Sequence, residues 1–177
     1  MTLMVLSVVG SDRPGLTQAL AAAVLSADGN WLESHLSQLG GLFVGSVLVD
    51  IRPANAERLR AAVARVDAQG LDIRMAPAVE VPDSDGAALQ LNLVGQDRPG
   101  IVNQVTDVLS RLEANIETFA TRMEPAPHSG ASLFHMDVQL RLPAGMPMID
   151  LQQALEDVSG EVMVDIALVP LKPRRAS

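Results

Sequence analysis

Two short polar segments carry the residues of this sequence that could bind a small molecule. Residues 10–15 read GSDRPG, and residues 95–100 read GQDRPG. Each segment follows an apolar run and precedes a helical pattern, with Pro expected at the first helical position and Asp as the cap. Free backbone N–H groups and the helix dipole suit a small anion there, such as a carboxylate, and a glycine fits where a ligand approaches the backbone closely. The alternative is that each segment is a helix start and nothing more.

One asparagine follows each segment at a constant distance. Asn30 lies fifteen residues after Gly15, and Asn115 lies fifteen residues after Gly100. An amide side chain both donates and accepts hydrogen bonds, so it could bind the amino and the carboxylate group of one ligand. We expect it at the start of the second strand, next to the N-terminus of the first helix.

These spacings belong to an internal repeat. Residues 6–30 align with residues 91–115 at an offset of 85, and the offset becomes 91 after the segment EPAPHSG of the second copy. A six-residue loop insertion explains that change. Repetition on this scale indicates two copies of one structural unit.

Each copy shows the same succession of hydrophobic patterns. Alternating apolar residues over 89–93 and 136–142 predict strands, and apolar spacings of three and four over 101–112 and 151–158 predict helices. The order is βαββαβ in both copies. We therefore predict an α+β fold of two ferredoxin-like units, each a four-stranded antiparallel sheet with two helices on one face.

The predicted domain boundaries follow from this repeat and from a Pro-rich segment in the middle of the chain. We expect the first unit at residues 1–80, a linker at 81–86, the second unit at 87–172 and a tail at 173–177. A unit of about 80 residues buries only about 60% of its extended-chain surface, so we expect the two copies to pack together.

Composition excludes several classes of function for this chain of 177 residues. It has no cysteine, a net charge of −8, three Phe and one Trp. Nucleic-acid binding needs clustered Lys and Arg and, for single strands, aromatic side chains, so we predict no direct contact with nucleic acid. No membrane-spanning segment or catalytic motif is found, and the three histidines lack metal-ligand spacing. We expect a cytoplasmic protein that is not an enzyme and needs no cofactor.

Tandem βαββαβ units in which DRPG is followed by an asparagine resemble ACT domains, regulatory modules that often bind amino acids. A chain of two such units is similar to the glycine cleavage system transcriptional repressor group. The resemblance implies a sensor of an amino acid, with glycine expected, that acts by protein contact on a DNA-binding transcriptional regulator. A homodimer is a further possibility.

The resemblance also implies which residues bind the ligand. Family ligands typically sit between two ACT units and contact the first loop, the glycine and the asparagine. By match to that motif they are Asp12, Arg13, Gly15, Leu16 and Asn30 in the first copy, with Asp97, Arg98, Gly100, Ile101 and Asn115 in the second. Two alternatives stay open: a regulatory module like those of formyltetrahydrofolate deformylases, and a dimerisation module without a ligand.

Overall fold

The structure is a computed structural model, and it describes residues 1–67, 70–79, 85–125, 132–162 and 164–171. The chain divides into two compact units, Met1–Val81 and Pro82–Ser177. Most of the predicted linker 81–86 and all of the predicted tail 173–177 lie outside the described residues, so these boundaries stay predictions.

Unit 1 has the predicted order of elements. Its strands are β1 (Thr2–Ser11), β2 (Asn30–Leu39), β3 (Leu42–Ile51) and β4 (Leu71–Pro77), and its helices are α1 (Leu16–Ser26) and α2 (Ala56–Asp67), the latter preceded by a 3-10 turn at Pro53–Asn55. The sheet is antiparallel with the order β2-β3-β1-β4. Because β3 lies between β1 and β2, the unit has the split βαβ connectivity of a ferredoxin-like fold.

Unit 2 repeats this architecture. Its strands are β5 (Ala88–Gln96), β6 (Asn115–Pro125), β7 (Ser132–Arg141) and β8 (Val164–Pro170), and its helices are α3 (Ile101–Arg111) and α4 (Met148–Val162). The sheet order is β6-β7-β5-β8, also antiparallel. The predicted fold class is confirmed in both units. One boundary differs from the hydrophobic pattern. The apolar run VMVDIALV, residues 162–169, predicts a strand that starts at Val162, but this residue ends α4.

Each unit has its own core between one sheet face and its helices. Leu16, Leu20 and Ala23 recur at spacings of three and four, which predicts one face of α1, and all three are buried. They pack with the inward residues of the strands and with α2. The corresponding core of unit 2 includes Leu91, Leu93, Ile101, Val105, Val108, Met136, Val138, Leu140, Leu151 and Leu155. Alternation along the strands thus decides which face meets the helices.

Candidate functional site

The two repeated turns have the same backbone conformation. Gly15 has φ 92° and ψ −3°, Gly100 has φ 93° and ψ −7°, and each is the N-cap of the helix that follows. This left-handed region is routinely adopted only by glycine. The expectation of Pro at the first helical position and of Asp as the cap is wrong. The helices begin one residue after the glycine, and no side chain of the described residues caps either one.

The uncapped helix starts leave backbone amides available. The first bond of each helix ladder runs from the Ala19 N–H to the Gly15 carbonyl oxygen, or from the Gln104 N–H to the Gly100 carbonyl oxygen, at 2.9 Å in both cases. The three amides before that donor have no partner within the ladder. A Cβ on either glycine would meet no described atom within 4 Å. The positive φ therefore explains each glycine, and the open space in front of it leaves room for a ligand.

The polar side chains around the two turns are arranged differently. In unit 1 the Gln38 side-chain amide donates to the Asp12 carboxylate at 2.8 Å. In unit 2 the Arg98 guanidinium donates to the Gln104 side-chain oxygen at 3.0 Å. Neither bond has a counterpart in the other copy, because the repeat places Met123 where Gln38 stands and Ala19 where Gln104 stands.

The two turns also differ in the charges that they expose, because the first turn exposes Asp12 as well as Arg13. Arg13 is exposed beside the first turn and its counterpart Arg98 is half-buried, while Asp97 is exposed beside the second. The side chains of Leu16 and Ile101 lie in the cores, 4% and 3% exposed. Of these two predicted ligand residues, only the backbone N–H could contact a bound molecule.

The two asparagines begin β2 and β6, as predicted, but they do not lie beside the turns of their own units. Asn30 pairs with Asp50 across the sheet, whereas Ser11, which leads into the first turn, pairs with Leu42 at the other end of β3. Eight residues of strand separate Asn30 from Gln38, which contacts the turn, a distance of about 26 Å. The expectation of proximity is wrong because the helix returns the chain to the far end of the sheet before the second strand begins.

Each asparagine has a charged residue beside it that the sequence analysis did not predict. Asp50 faces Asn30, and Arg141 faces Asn115 in the same register. One Asp50 carboxylate oxygen is buried without a hydrogen-bond partner among the described residues. Arg141 instead donates to Glu117 at 2.7 Å and to the Gly86 carbonyl oxygen at 3.3 Å. The shifted repeat offset of 91 aligns Asp50 with Arg141, so a comparison beyond the insertion would have revealed the opposite charges.

A second charged group occupies the outer face of the unit 2 sheet. Arg122 on β6 donates to Glu124 at 2.7 Å and to Asp137 on β7, and His135 lies 3.4 Å from Glu124. The hydrogen bond from Arg122, followed by the charge of His135, lowers the pKa of Glu124. The hydrogen bonds to Glu124 and Asp137 raise the pKa of Arg122. The group is a compensated ion-pair network rather than an open anion site.

The described part of the chain contains neither a candidate metal site nor a helix that could span a membrane. Within the described residues, no three His, Cys, Asp or Glu side chains form a group that could hold a metal ion. His128 lies outside them. No helix in the same part of the chain has the length and apolar character needed to cross a bilayer.

Comparison with known proteins gives matches over one unit and over nearly the whole chain. Residues 2–76 match the family model of the ACT domain. The glycine cleavage system transcriptional repressor of Escherichia coli (strain K12) is 23% identical over 164 residues, 90% of this chain and 85% of that protein.

Two crystal structures share the fold over essentially their full length. An unknown protein from Galdieria sulphuraria has 32% identity and a TM-score of 0.86, with 97% of this chain and 99% of that chain covered. A protein provisionally described as a glycine cleavage system transcriptional repressor has 19% identity and a TM-score of 0.68, with 97% and 98% covered. Other proteins thus share the succession of two such units in one chain.

Proposed function

We propose, on the premise that this chain belongs to the ACT domain family, that it senses a small amino acid and controls a DNA-binding transcriptional activator by protein contact. The observation that carries the proposal is the similarity to the Escherichia coli repressor, which extends through both units. The net charge of −8 supports a protein partner, because binding to DNA phosphates requires an excess of Lys and Arg. On this proposal the chain is a cytoplasmic regulator without catalytic activity.

The ligand site is proposed at the two turns. The amides that follow Gly15 and Gly100 point from uncapped helix starts, where the dipole favours a carboxylate. Asp12 and Arg13, or Asp97 and Arg98, would surround its charged groups, and the N–H groups of Leu16 and Ile101 would be donors. Glycine is the expected ligand because of the family resemblance.

The asparagines enter this proposal only under one condition. A single small amino acid cannot contact Asn30 and Gly15 of one unit, since the length of the sheet separates them. Asn30 or Asn115 would have to contact a ligand held at the turn of a different ACT unit. Such a shared arrangement is the one that the family resemblance implies.

Calorimetric titration tests the ligand. Glycine, other small amino acids, acetate and methylamine would each be titrated into the full chain. We expect binding of an amino acid but not of acetate or methylamine, because one charged group alone forms only part of the contacts. Absence of binding by every amino acid would contradict sensing and would support the ligand-free dimerisation module.

Matched asparagine variants test the site. If an asparagine contacts the ligand, its replacement by alanine removes one or two hydrogen bonds of about 0.5–1.5 kcal/mol each, and affinity falls about tenfold. Asn30→Ala and Asn115→Ala should then weaken binding without lowering the melting temperature. A lower melting temperature with unchanged affinity would show that the asparagine only holds its strand.

The protein partner is tested separately. Fluorescence anisotropy of labelled operator DNA bound to the purified activator of the glycine cleavage genes would be recorded with and without this chain. We expect the chain to change the anisotropy only when activator is present, and the amino acid to alter that effect. A change on DNA alone would contradict action through protein contact.

A further inference from the structure

The outer face of the unit 1 sheet, opposite its helices, is apolar along its two central strands. We call this surface the outer stripe. It consists of Leu3, Val5, Ser7 and Val9 on β1 with Leu42, Val44, Ser46 and Leu48 on β3. Leu3 is 36% exposed, Val9 46% and Leu42 42%, while Val5, Val44 and Leu48 are half-buried. The inward residues of the same strands are also apolar, so β1 and β3 are largely hydrophobic on both faces. The exceptions on the outer face are the serine pair and Asp50, which lies opposite Leu3 at the end of β3.

The same surface of unit 2 is polar. The repeat places Gln90 where Val5 stands, Asn92 where Ser7 stands and Gln139 where Leu48 stands. Strands β5 and β7 therefore alternate apolar and polar residues, as expected when one face meets water. Strands that are apolar on both faces are typical of a sheet covered by a layer on each side. The difference between the repeats singles out the outer stripe as a covered surface.

We propose that the outer stripe packs face to face against the outer stripe of a second copy of this chain. The layout of the stripe is self-complementary. Leucine, valine and serine follow one another at alternate positions on both strands, and the central Ser7 and Ser46 pair directly across the sheet. A two-fold axis in the plane of the interface, through that serine pair, places serine over serine. Val5 and Val9 then lie over apolar residues of the second copy.

The charges around the outer stripe also suit contact with an identical surface. The edge strand β2 carries Glu33 and His35, with 3.2 Å between the carboxylate oxygen and the ring nitrogen. The edge strand β4 carries Asp72 and Arg74, whose charged atoms are 4.0 Å apart. Each edge thus pairs an acid with a base, which limits repulsion between copies. An apolar centre with a polar rim is the usual anatomy of a protein interface.

The area of the face is sufficient for a stable dimer. The sheet has four strands, and β1 and β3 are ten residues long. β2 also has ten residues but β4 has only seven, so at about 4.8 Å between strands and about 3.4 Å per residue the whole face covers about 600 Å² per copy. Two copies would bury about 1,200 Å² if the edge strands form the rim of the interface, which is the lower limit for specific protein interfaces.

Sedimentation velocity of the full chain tests this assembly with a matched pair of variants. Val5→Lys places a charge in the outer stripe, and Gln90→Lys places the same charge at the equivalent position of unit 2. We expect a dimer for the unaltered chain and for Gln90→Lys, and a dissociation constant raised at least about a hundredfold for Val5→Lys, since an unpaired charge would be buried. A monomeric unaltered chain would overturn the proposal, as would a dimer that Val5→Lys leaves intact or that both variants dissociate.

Cross-linking decides the matter even if Val5→Lys does not fold. The chain has no cysteine, so Ser7→Cys and Asn92→Cys each introduce a single thiol at equivalent positions. Stacked sheets lie about 10 Å apart, within reach of a short bismaleimide. We expect a covalent dimer for Ser7→Cys and none for Asn92→Cys. Absence of a Ser7→Cys dimer, or equal yields for both variants, would show that another surface, segment or protein covers the outer stripe, and would overturn the proposal.

Discussion

Alanine at Gly15 should destabilise unit 1, whereas asparagine at the same position should cost much less. The reason is the backbone conformation, since φ at Gly15 is 92°. An L-residue in this left-handed region is strained, but asparagine tolerates the region better than alanine does. Steric crowding does not contribute, because a Cβ at Gly15 would have no described neighbour within 4 Å.

The expected size of the effect follows from two opposing terms. The left-handed conformation costs an alanine about 1–2 kcal/mol. Alanine also restricts the unfolded chain more than glycine does, which returns about 0.4–1 kcal/mol. The net loss is about 1 kcal/mol, which corresponds to a melting temperature lower by about 4–8 °C for a domain of this size.

The single tryptophan makes the measurement specific to one unit. Trp31 lies on β2 and packs partly buried against the unit 1 core. Its fluorescence during urea unfolding gives the midpoint for Gly15→Ala and Gly15→Asn. Gly100→Ala, followed by hydrogen exchange of the α3 amides, repeats the test in unit 2 because its φ is 93°. Equal losses for alanine and asparagine, or no loss for alanine, would refute the conformational explanation.

Three further predictions concern the sheet, the ion pairs and the partner. Gly10→Ala should cost about 1–3 kcal/mol in the same urea assay, more than Gly15→Ala, because its Cβ would lie 2.3 Å from the Gly70 carbonyl oxygen; an unchanged midpoint would contradict that close approach. Glu124 has a folded-state pKa below its unfolded value of about 4.3, so its stabilising effect is present above that pH and lost as the pH falls through the lower value. Glu124→Gln should therefore be less stable than the unaltered chain at pH 7, and the difference in stability should shrink as the pH falls below about 4; a difference that does not shrink in acid would contradict this. Finally, the purified chain should leave no footprint on DNA at physiological salt without a partner, because its net charge is −8; a footprint would refute this.

The fold was predictable because hydrophobic periodicity depends on local sequence. Period-two patterns located the strands, and spacings of three and four located the helices. The repeat shows the same order of elements twice, so each short apolar run could be assigned to a strand or a helix by comparison with its counterpart in the other copy. The end of α4 was missed because Val162 also fits a strand, and its helical state depends on the preceding residues.

The turn was misread because two local rules compete in the segment DRPG. Proline at the first helical position and aspartate as the cap are both common, and they place the glycine inside the helix. In the structure Gly15 is itself the N-cap. A positive φ at Gly15 lets the helix begin at the next residue without any capping side chain. The sequence DRPG alone does not distinguish a helix that begins at the proline from one that begins after the glycine.

The position of Asn30 could have been derived from topology, but its neighbours could not. A helix that follows β1 returns the chain along the sheet, so the next strand must begin at the opposite end from the turn. The contact with Asp50, by contrast, depends on the register between β2 and β3, which includes a bulge between Trp31 and Glu33. Contacts of this kind form between residues far apart in sequence.

The two repeats keep one backbone and vary the chemistry on it. The φ angles of Gly15 and Gly100 differ by a single degree, which preserves both helix starts. Yet the first turn exposes both Asp12 and Arg13, whereas at the second turn Asp97 is exposed and Arg98 is half-buried. The outer sheet face is apolar in unit 1 and polar in unit 2. Either set of side chains would meet the requirements of the fold alone. The difference in side chains between the two units therefore points to separate roles. Unit 1 is assigned to assembly, and the two turns can bind different groups of a ligand.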